Sequence, residues 1–450
     1  LACCFKVLIN VANSCRFNDA SDDSLTKTFS SAVSTRQQAT VSMWVKLGNI
    51  DHTRFLFECS DGANPTQLYI SSGNKFSFYD TATNSSFTTN AVLRDVSAWY
   101  HLVCRVDTTQ SSNSDRVKLY INGSLQSTTT SNTLTQNNNI LWGKNSTHTV
   151  GKRFGSSDSF DGYIAEFVFI MSSSLDATSF GEFDSDSPTI WKPIDVSGLT
   201  FNSNSFYLDF EDSSALGNDV SGLNNDFTVN NLTAIDQSTD TCTNNFCVMN
   251  SLDNQEQGST FTEGNIKIEW NTHNKNNFAN FAFNQGKWYW EIKYTDSSGG
   301  VNAMLGVSLM DTRQGDHYNG HDTNGWAYYS TNGNNYHNAS TSSYGNSWGA
   351  SDIIGVAFDA DTRTIWCSKN GTWQNSATIS EIAAGTTTNS MYTGMGSAGD
   401  YFVPSISAND GNKVEFNFGS PSYAISSGNA DGNGFGNFEY AVPSGYYSLN

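Results

Sequence analysis

The chain has 450 residues, with 43 acidic against 23 basic side chains, a formal net charge of −20 and 13% aromatic residues. This balance argues against nucleic-acid binding, which needs clustered Lys and Arg to neutralise phosphates, and against docking on an anionic membrane. No apolar run approaches the roughly 20 residues that span a bilayer, so no membrane insertion is expected. Asn, Ser, Thr, Gly and Asp dominate, and no stretch carries the 3.6 period of a long helix. Short alternating runs separated by turn residues predict an all-β chain built of antiparallel sandwiches.

In chain order, "FKVLINVA" (Phe5–Ala12) is too short to cross a bilayer and reads as an N-terminal strand. Up to Glu182, "ATVSMWVKLG" (Ala39–Gly48), "TRFLFECS", "TQLYISS" and "KFSFYD" each read as a strand. "WYHLVCRVD" (Trp99–Asp107) and "DRVKLYINGSLQ" (Asp115–Gln126) predict a long hairpin. Leu102, Cys104 and Val106 share one face, and Val117, Leu119 and Ile121 share another. Asn122-Gly123 then supplies a tight turn, because that dipeptide readily takes positive φ. "FDGYIAEFVFIMSSSLDATSFGEFD" closes the region as a strand followed by one helical turn. Cys59, Cys104 and, much later, Cys367 sit among apolar strand residues and read as buried free thiols.

The run Tyr120-Ile121-Asn122-Gly123, followed by Gly162, Ile164 and Glu166 in a final strand, resembles the laminin G-like branch of the concanavalin A-like sandwiches. The resemblance implies that residues 1–182 form one jelly-roll-type β-sandwich. Relatives of this branch often bind calcium, which the resemblance extends to this chain as an expectation.

Residues 183–253 differ in texture: acidic, rich in Asn, and poor in long apolar runs. They read as an ordered acidic connector, because Trp191, Phe206, Tyr207, Leu208, Phe210 and Phe227 need somewhere to bury. Cys242 and Cys247 lie in "TCTNNFC" without a CxxC pair or a His cluster, and read as two unpaired thiols in a loop.

Residues 254–450 bring "GKWYWEIKYTD", "NAMLGVSLMD", "GVAFDADTRTIWCSKNGTW" and "YFVPSISANDGNKVEFNFG". The third of these is two strands joined by a turn, ending in Asn370-Gly371. Four separated motifs in this order resemble the SPRY domain, a second concanavalin A-like sandwich. Taken together, "SCRFND", "AEFVFIMSSSLDATSFGEFD", "WKPIDVSG", "FYLDFEDSSALGNDVSGLNNDFTVNNL", "DTCTNNF" and "SLDN" ahead of a SPRY-like domain are similar to virion proteins of marine bacteriophages, cyanophages among them. That resemblance implies a tail fibre, spike or capsid-surface appendage, made in the host cytoplasm and exposed on the particle. Its partners would be other virion proteins and a host cell-surface polysaccharide or receptor, and such fibres are often homotrimers. A purely structural decoration or connecting protein, and a secreted carbohydrate-binding lectin, are the alternatives.

No motif for catalysis emerges. There is no Gly-x-Ser-x-Gly elbow and no H-E-x-x-H, and the acids of "EFDSDS" and "DFEDS" read as solvated connector residues, so no enzyme is expected. Calcium suits the Asp- and Asn-rich loops, since it takes six to eight oxygen ligands. The candidate ligands are Asp219 and Asp226 in one cluster, with Asp316 and Asp322 in another. The most function-like stretch is Asp316 to Trp348. Its Tyr318, Trp326, Tyr329, Tyr336, His337, Tyr344 and Trp348, set among Gly, Asn and Ser, are the candidate glycan ligands. Ring faces suit the C–H side of a sugar, and amides suit its hydroxyls. "GWAYYS" alternates, so Trp326 or Tyr328 is expected to be buried.

Overall fold

The computed structural model describes residues 9–254, 258–298, 300–310 and 317–450. The chain divides into two compact units, Leu1–Asn245 and Phe246–Asn450. Each is an antiparallel β-sandwich, and among the described residues helix is confined to single turns such as Asn113–Arg116 and Ile379–Ala383.

The strands of the first unit are β1 (Ser14–Phe17), β2 (Ser24–Thr28), β3 (Gln38–Leu47), β4 (Arg54–Ser60), β5 (Pro65–Ile70), β6 (Phe76–Asp80), β7 (Ser85–Thr89), β8 (Trp99–Asp107), β9 (Val117–Ile121), β10 (Ser124–Leu125), β11 (Thr128–Ser131), β12 (Thr147–Val150), β13 (Gly162–Met171), β14 (Gly181–Phe183), β15 (Trp191–Pro193), β16 (Phe206–Leu208), β17 (Thr228–Asn230) and β18 (Gln237–Ser238). One sheet runs β10-β9-β8-β3-β13-β1-β18, with β16 also on β13; the facing sheet runs β11-β7-β6-β5-β4-β12-β2-β17. The predicted β8–β9 hairpin forms with Cys104 opposite Leu119, and the turn after β9 has φ of 47° at Asn122 and 75° at Gly123. That double positive φ is what the Asn-Gly pair supplies.

Alternation leads one to expect strands buried on one face, yet β3 and β13 are buried almost throughout. The reason is a second apolar layer. Val41, Met43 and Val45 face the main core, while Trp44, Tyr163, Ala165, Val168 and Ile170 point the other way against Phe180, Trp191 and Val196. Much of that layer comes from residues that read as connector. Residues 183–245 fold onto the first sandwich: β16 and β1 share one edge of β13 end to end, β17 extends the second sheet from β2, and β18 pairs with β1. Phe206, Leu208, Phe210 and Phe227 enter the main core. Three-residue strands carry too little period to be recognised as strands, so this stretch reads as connector although it is sheet.

Of the N-terminal strand expected at Phe5–Ala12, Phe5–Leu8 lie outside the described residues, and residues 9–13 form no strand; β1 begins at Ser14. Cys15, Cys59, Cys104, Cys242, Cys247 and Cys367 are free thiols, with Cys242 partly exposed and the rest buried.

The second unit contains β19 (Ser259–Thr262), β20 (Lys267–Trp270), β21 (Lys275–Phe278), β22 (Lys287–Ser297), β23 (Ala303–Leu309), β24 (Gly325–Tyr329), β25 (Asn334–His337), β26 (Ser340–Ser343), β27 (Ile353–Asp359), β28 (Thr364–Lys369), β29 (Thr372–Trp373), β30 (Phe402–Ala408) and β31 (Asn412–Asn417). Its sheets run β19-β20-β31-β22-β27-β28-β29 and β21-β30-β23-β24-β25-β26. The β27–β28 hairpin and the Asn370-Gly371 turn, with φ of 48° and 77°, are as the sequence predicts. A core of Trp270, Trp290, Ile292, Leu305, Tyr328, Val356, Phe358 and Phe416 lies between the sheets. The outer face of the first of these sheets is again covered, here by Phe438 and Tyr446 of the C-terminal segment packing on Tyr289 and Trp366.

Candidate functional site

The pairing of β24 with β25 sorts the aromatic residues of the 317–348 stretch onto two faces. Trp326 and Tyr328 point inward, while Ala327 and Tyr329 point outward with Tyr336, which sits opposite Ala327. Trp326, Tyr344 and Trp348 accordingly lie in the core at 4%, 5% and 2% exposure. Trp348 packs edge-on against Tyr294, and the Tyr344 hydroxyl accepts from the Cys367 amide at 2.9 Å. These three candidate ligands therefore offer no ring face to a sugar. Large aromatics among Gly and Asn look exposed in sequence, but strand alternation buries every second one.

Tyr318, Tyr329, Tyr336 and His337 remain partly exposed. Three of them form a continuous row: Tyr318 meets Tyr336 edge-on at 6.3 Å, and Tyr336 meets Tyr329 at 5.2 Å. The row continues through His321, 5.2 Å from Tyr318, to the exposed His317, whose ring stacks on His321 at 3.9 Å and 12°. His337 belongs to another layer. It stacks on Trp326 at 4.7 Å and 7°, with Nδ1 donating to the Gly325 carbonyl at 2.9 Å.

Asn319, a residue that sequence reasoning did not single out for this role, fixes the loop carrying Tyr318. It is fully buried against the small outward residues of β23 and β30. Its amide N–H donates to Ser407 Oγ at 2.9 Å, its Nδ2 donates to Ser405 Oγ at 3.0 Å, and its Oδ1 accepts from Ser308 Oγ at 3.2 Å. Gly320, at φ +88°, crosses so close to β25 that a Cβ would come within 2.6 Å of the Tyr336 carbonyl oxygen. The aromatic row is thus held on rigid strands and an anchored loop rather than on a free tip. It lies beside the polar, fully exposed edge strand β26.

The described calcium candidates, Asp219, Asp226 and Asp322, are engaged in turns. Asp219 accepts from the Tyr207, Ser221 and Asn225 amides at 2.8–3.0 Å, and Asp226 accepts from the Asp219 amide at 2.9 Å. Asp322 accepts from the Asn324 amide at 2.8 Å, and Asp316 lies outside the described residues. Asp and Asn accumulate in such loops because their side chains mimic a backbone turn. Among the described residues, no three His, Cys, Asp or Glu side chains converge on a cation position.

The outer layer of the first unit holds a polar cluster that no local motif reveals. Trp191 Nε1 donates to His101 Nδ1 at 2.9 Å, so the imidazole proton sits on Nε2, 2.9 Å from Ser42 Oγ. Burial pushes the His101 pKa down to about 3. The imidazole therefore donates to Ser42 and cannot take its proton, which is the wrong tautomer for activating a serine nucleophile. Close by, Glu166 occupies a β-bulge in β13 at φ +50°, and accepts from the Tyr207 hydroxyl at 2.6 Å. Its signal in the sequence is an acid in the middle of an apolar strand. Beside Trp191 opens a cavity of about 710 Å³ with Ile190, Pro193 and Ile194 among its walls.

Burial, reinforced by the negative charge of Asp209, Glu211 and Asp195, raises the Glu166 pKa from an ordinary 4.5 to about 7. Between those two pH values the folded chain holds a proton that the unfolded chain has lost, so stability falls as pH rises through this window, by up to about 3 kcal/mol. Glu166→Gln should therefore melt higher than the parent at pH 8 and close to it at pH 4. Thermal melts at both pH values check this, and a lower melting point for the variant at pH 8 would refute it.

Residues 19–177 match the family model of the Concanavalin A-like lectin/glucanases superfamily (Laminin_G_3), and residues 287–421 match the SPRY domain. Among solved structures, the chain is similar to the SPRY domain of human HERC1, at 20% identity, covering 35% of this chain and 91% of that one, with a TM-score of 0.28. It is also similar to the TRIM65 PSpry domain, at 12% identity over 38% of this chain and 91% of that chain, with a TM-score of 0.29. Stonustoxin is similar at 15% identity over 38% of this chain and 27% of its own length, with a TM-score of 0.29.

Proposed function

We propose that this chain, which carries an N-terminal laminin G-like (concanavalin A-like) domain and a C-terminal SPRY domain, is a non-catalytic recognition component of a bacteriophage particle. It binds host-surface glycan through the second unit. The observation that carries the recognition part is the row Tyr318–Tyr336–Tyr329: partly exposed, edge-to-face, and fixed by Asn319 on two strands. Rigid tyrosines present a large contact area at little entropic cost, and their hydroxyls reach sugar hydroxyls. The particle assignment rests on the order of motifs from "SCRFND" to "SLDN" ahead of the SPRY domain. The acidic chain, with a net charge of −20, suits an exposed surface that stays soluble.

The test is a glycan array and a whole-cell binding assay on the full chain, with and without calcium. Saturable binding is expected, and Tyr336→Ala or Tyr318→Ala should weaken it about 10- to 30-fold, or about 1.4–2 kcal/mol, with the melting temperature unchanged. Trp348→Ala should instead lower the melting temperature, because Trp348 is core. Absence of any binding by the parent chain would turn the assignment to a structural role, with other virion proteins as its only partners. Unaltered binding by both tyrosine variants would remove the site.

A further inference from the structure

The last residues of the first unit bring together three groups whose chemistry goes beyond packing. Lys46 on β3 is fully buried. Its Nζ donates to Asp240 Oδ2 at 2.7 Å and to the side-chain carbonyl of Asn245, Oδ1, at 2.8 Å. Asp240 is 1% exposed, and its other oxygen accepts from Trp99 Nε1 at 2.9 Å. The Tyr163 ring lies 5.7 Å from Nζ and completes an aromatic wall with Trp99. The Asn245 amide is oriented unambiguously, since Nδ2 donates to the Ser97 carbonyl at 3.0 Å while Oδ1 faces the lysine.

A primary amine, a carboxamide carbon one bond beyond a hydrogen-bonded oxygen, and a carboxylate in contact with the amine are the reactants and the proton carrier of an amide exchange. We propose that Lys46 and Asn245 form an intramolecular isopeptide bond, with Asp240 as its proton carrier. Asp240 takes a proton from the Lys46 ammonium, and the freed lone pair of Nζ adds to Cγ of Asn245. The Cγ–Nδ2 bond then breaks, and Nδ2 receives through Asp240 a proton from the attacking nitrogen and leaves as ammonia. Ammonia takes the remaining proton from the Asp240 carboxyl and departs as ammonium. The lysine ammonium and a primary amide thus become a secondary amide and ammonium, with no oxidant or cofactor required.

The linked residues are 199 apart in sequence. The bond would tie the central strand of one sheet to the end of the unit, closing nearly the whole sandwich into a covalent loop. Constraint of the unfolded chain grows with loop length. Such a bond hardens a domain against pulling and proteolysis without a disulfide.

The experiment is the intact mass of the purified full chain under denaturing conditions, followed by peptide mapping. The parent should be lighter than its sequence by one ammonia and yield a branched peptide joining Lys46 to Asn245. Asn245→Ala keeps the Lys46–Asp240 pair, and should fold and run at its full sequence mass, as should Lys46→Arg. A parent at full mass overturns the proposal. So does an ammonia loss that maps to a cyclised Asn-Gly pair, such as Asn122-Gly123 or Asn370-Gly371, instead of to a branched peptide.

Discussion

Replacing Glu291 by alanine should destabilise the second unit by about 3–5 kcal/mol, the cost of stranding several buried donors at once. Glu291 lies on β22 with no exposed surface. One of its oxygens accepts from the Tyr289 hydroxyl and the Tyr440 amide, both at 2.9 Å. The other accepts from the Glu439 amide at 2.9 Å and from Asn417 Nδ2 at 3.3 Å. This carboxylate is therefore the fastening of the C-terminal segment onto the outer face of its sheet, where Phe438 packs edge-on against Tyr289 at 5.0 Å. Burial raises its pKa while the four donors hold it down; burial prevails. Glu291→Gln keeps one acceptor oxygen and loses the other, so it should cost less, about 1–3 kcal/mol. Urea unfolding of parent and variants, followed by the fluorescence of the buried tryptophans, measures both. An alanine variant within about 1 kcal/mol of the parent would show that the segment is held by apolar packing alone.

The features legible in the sequence are those set by neighbours in the chain. The Asn122-Gly123 and Asn370-Gly371 turns, and the hairpins they follow, need only local φ preferences and period-two alternation, and both are present as predicted. The features that were not legible depend on what covers a sheet. Trp44 and Val168 point away from the main core and would be solvent-facing in a bare sandwich; a second layer from residues 175–207 buries them. The same physics divides the candidate ligands, since Trp326 and Tyr329 are three residues apart and end on opposite faces of β24. Asn319 shows the converse: in a row of Gly, Asn and Asp it reads as a loop residue, yet its side chain is held by Ser308 on β23 and by Ser405 on β30, which lies 86 residues away. Lys46, Asp240 and Asn245 have no local signature at all, because nearly two hundred residues separate the amine from its partners.

That distance makes the second large effect specific to the folded chain. Asp240→Ala, introduced together with Asn245→Ala so that no covalent link can form, should cost about 3–5 kcal/mol relative to Asn245→Ala alone. The buried Lys46 Nζ would lose the carboxylate it meets at 2.7 Å, and the Trp99 indole N–H would lose its acceptor. Asp240 also anchors the chain after β18, since its carbonyl accepts from Ser14 Oγ at 2.7 Å. That contact survives the substitution because it is made by the backbone. Adding Lys46→Met to the same background should recover most of the loss, because it removes the buried amine that Asp240→Ala deprives of its carboxylate. Denaturant titration of the three variants yields the comparison directly. If Lys46→Met restores nothing, the cost of Asp240→Ala comes from the cavity and the orphaned indole, and the buried charge contributes little. If it restores the loss, the ion pair is held in place by its own expense: each partner is tolerated in the interior only while the other is there, which is the condition under which an amine and an amide can be kept in contact long enough to react.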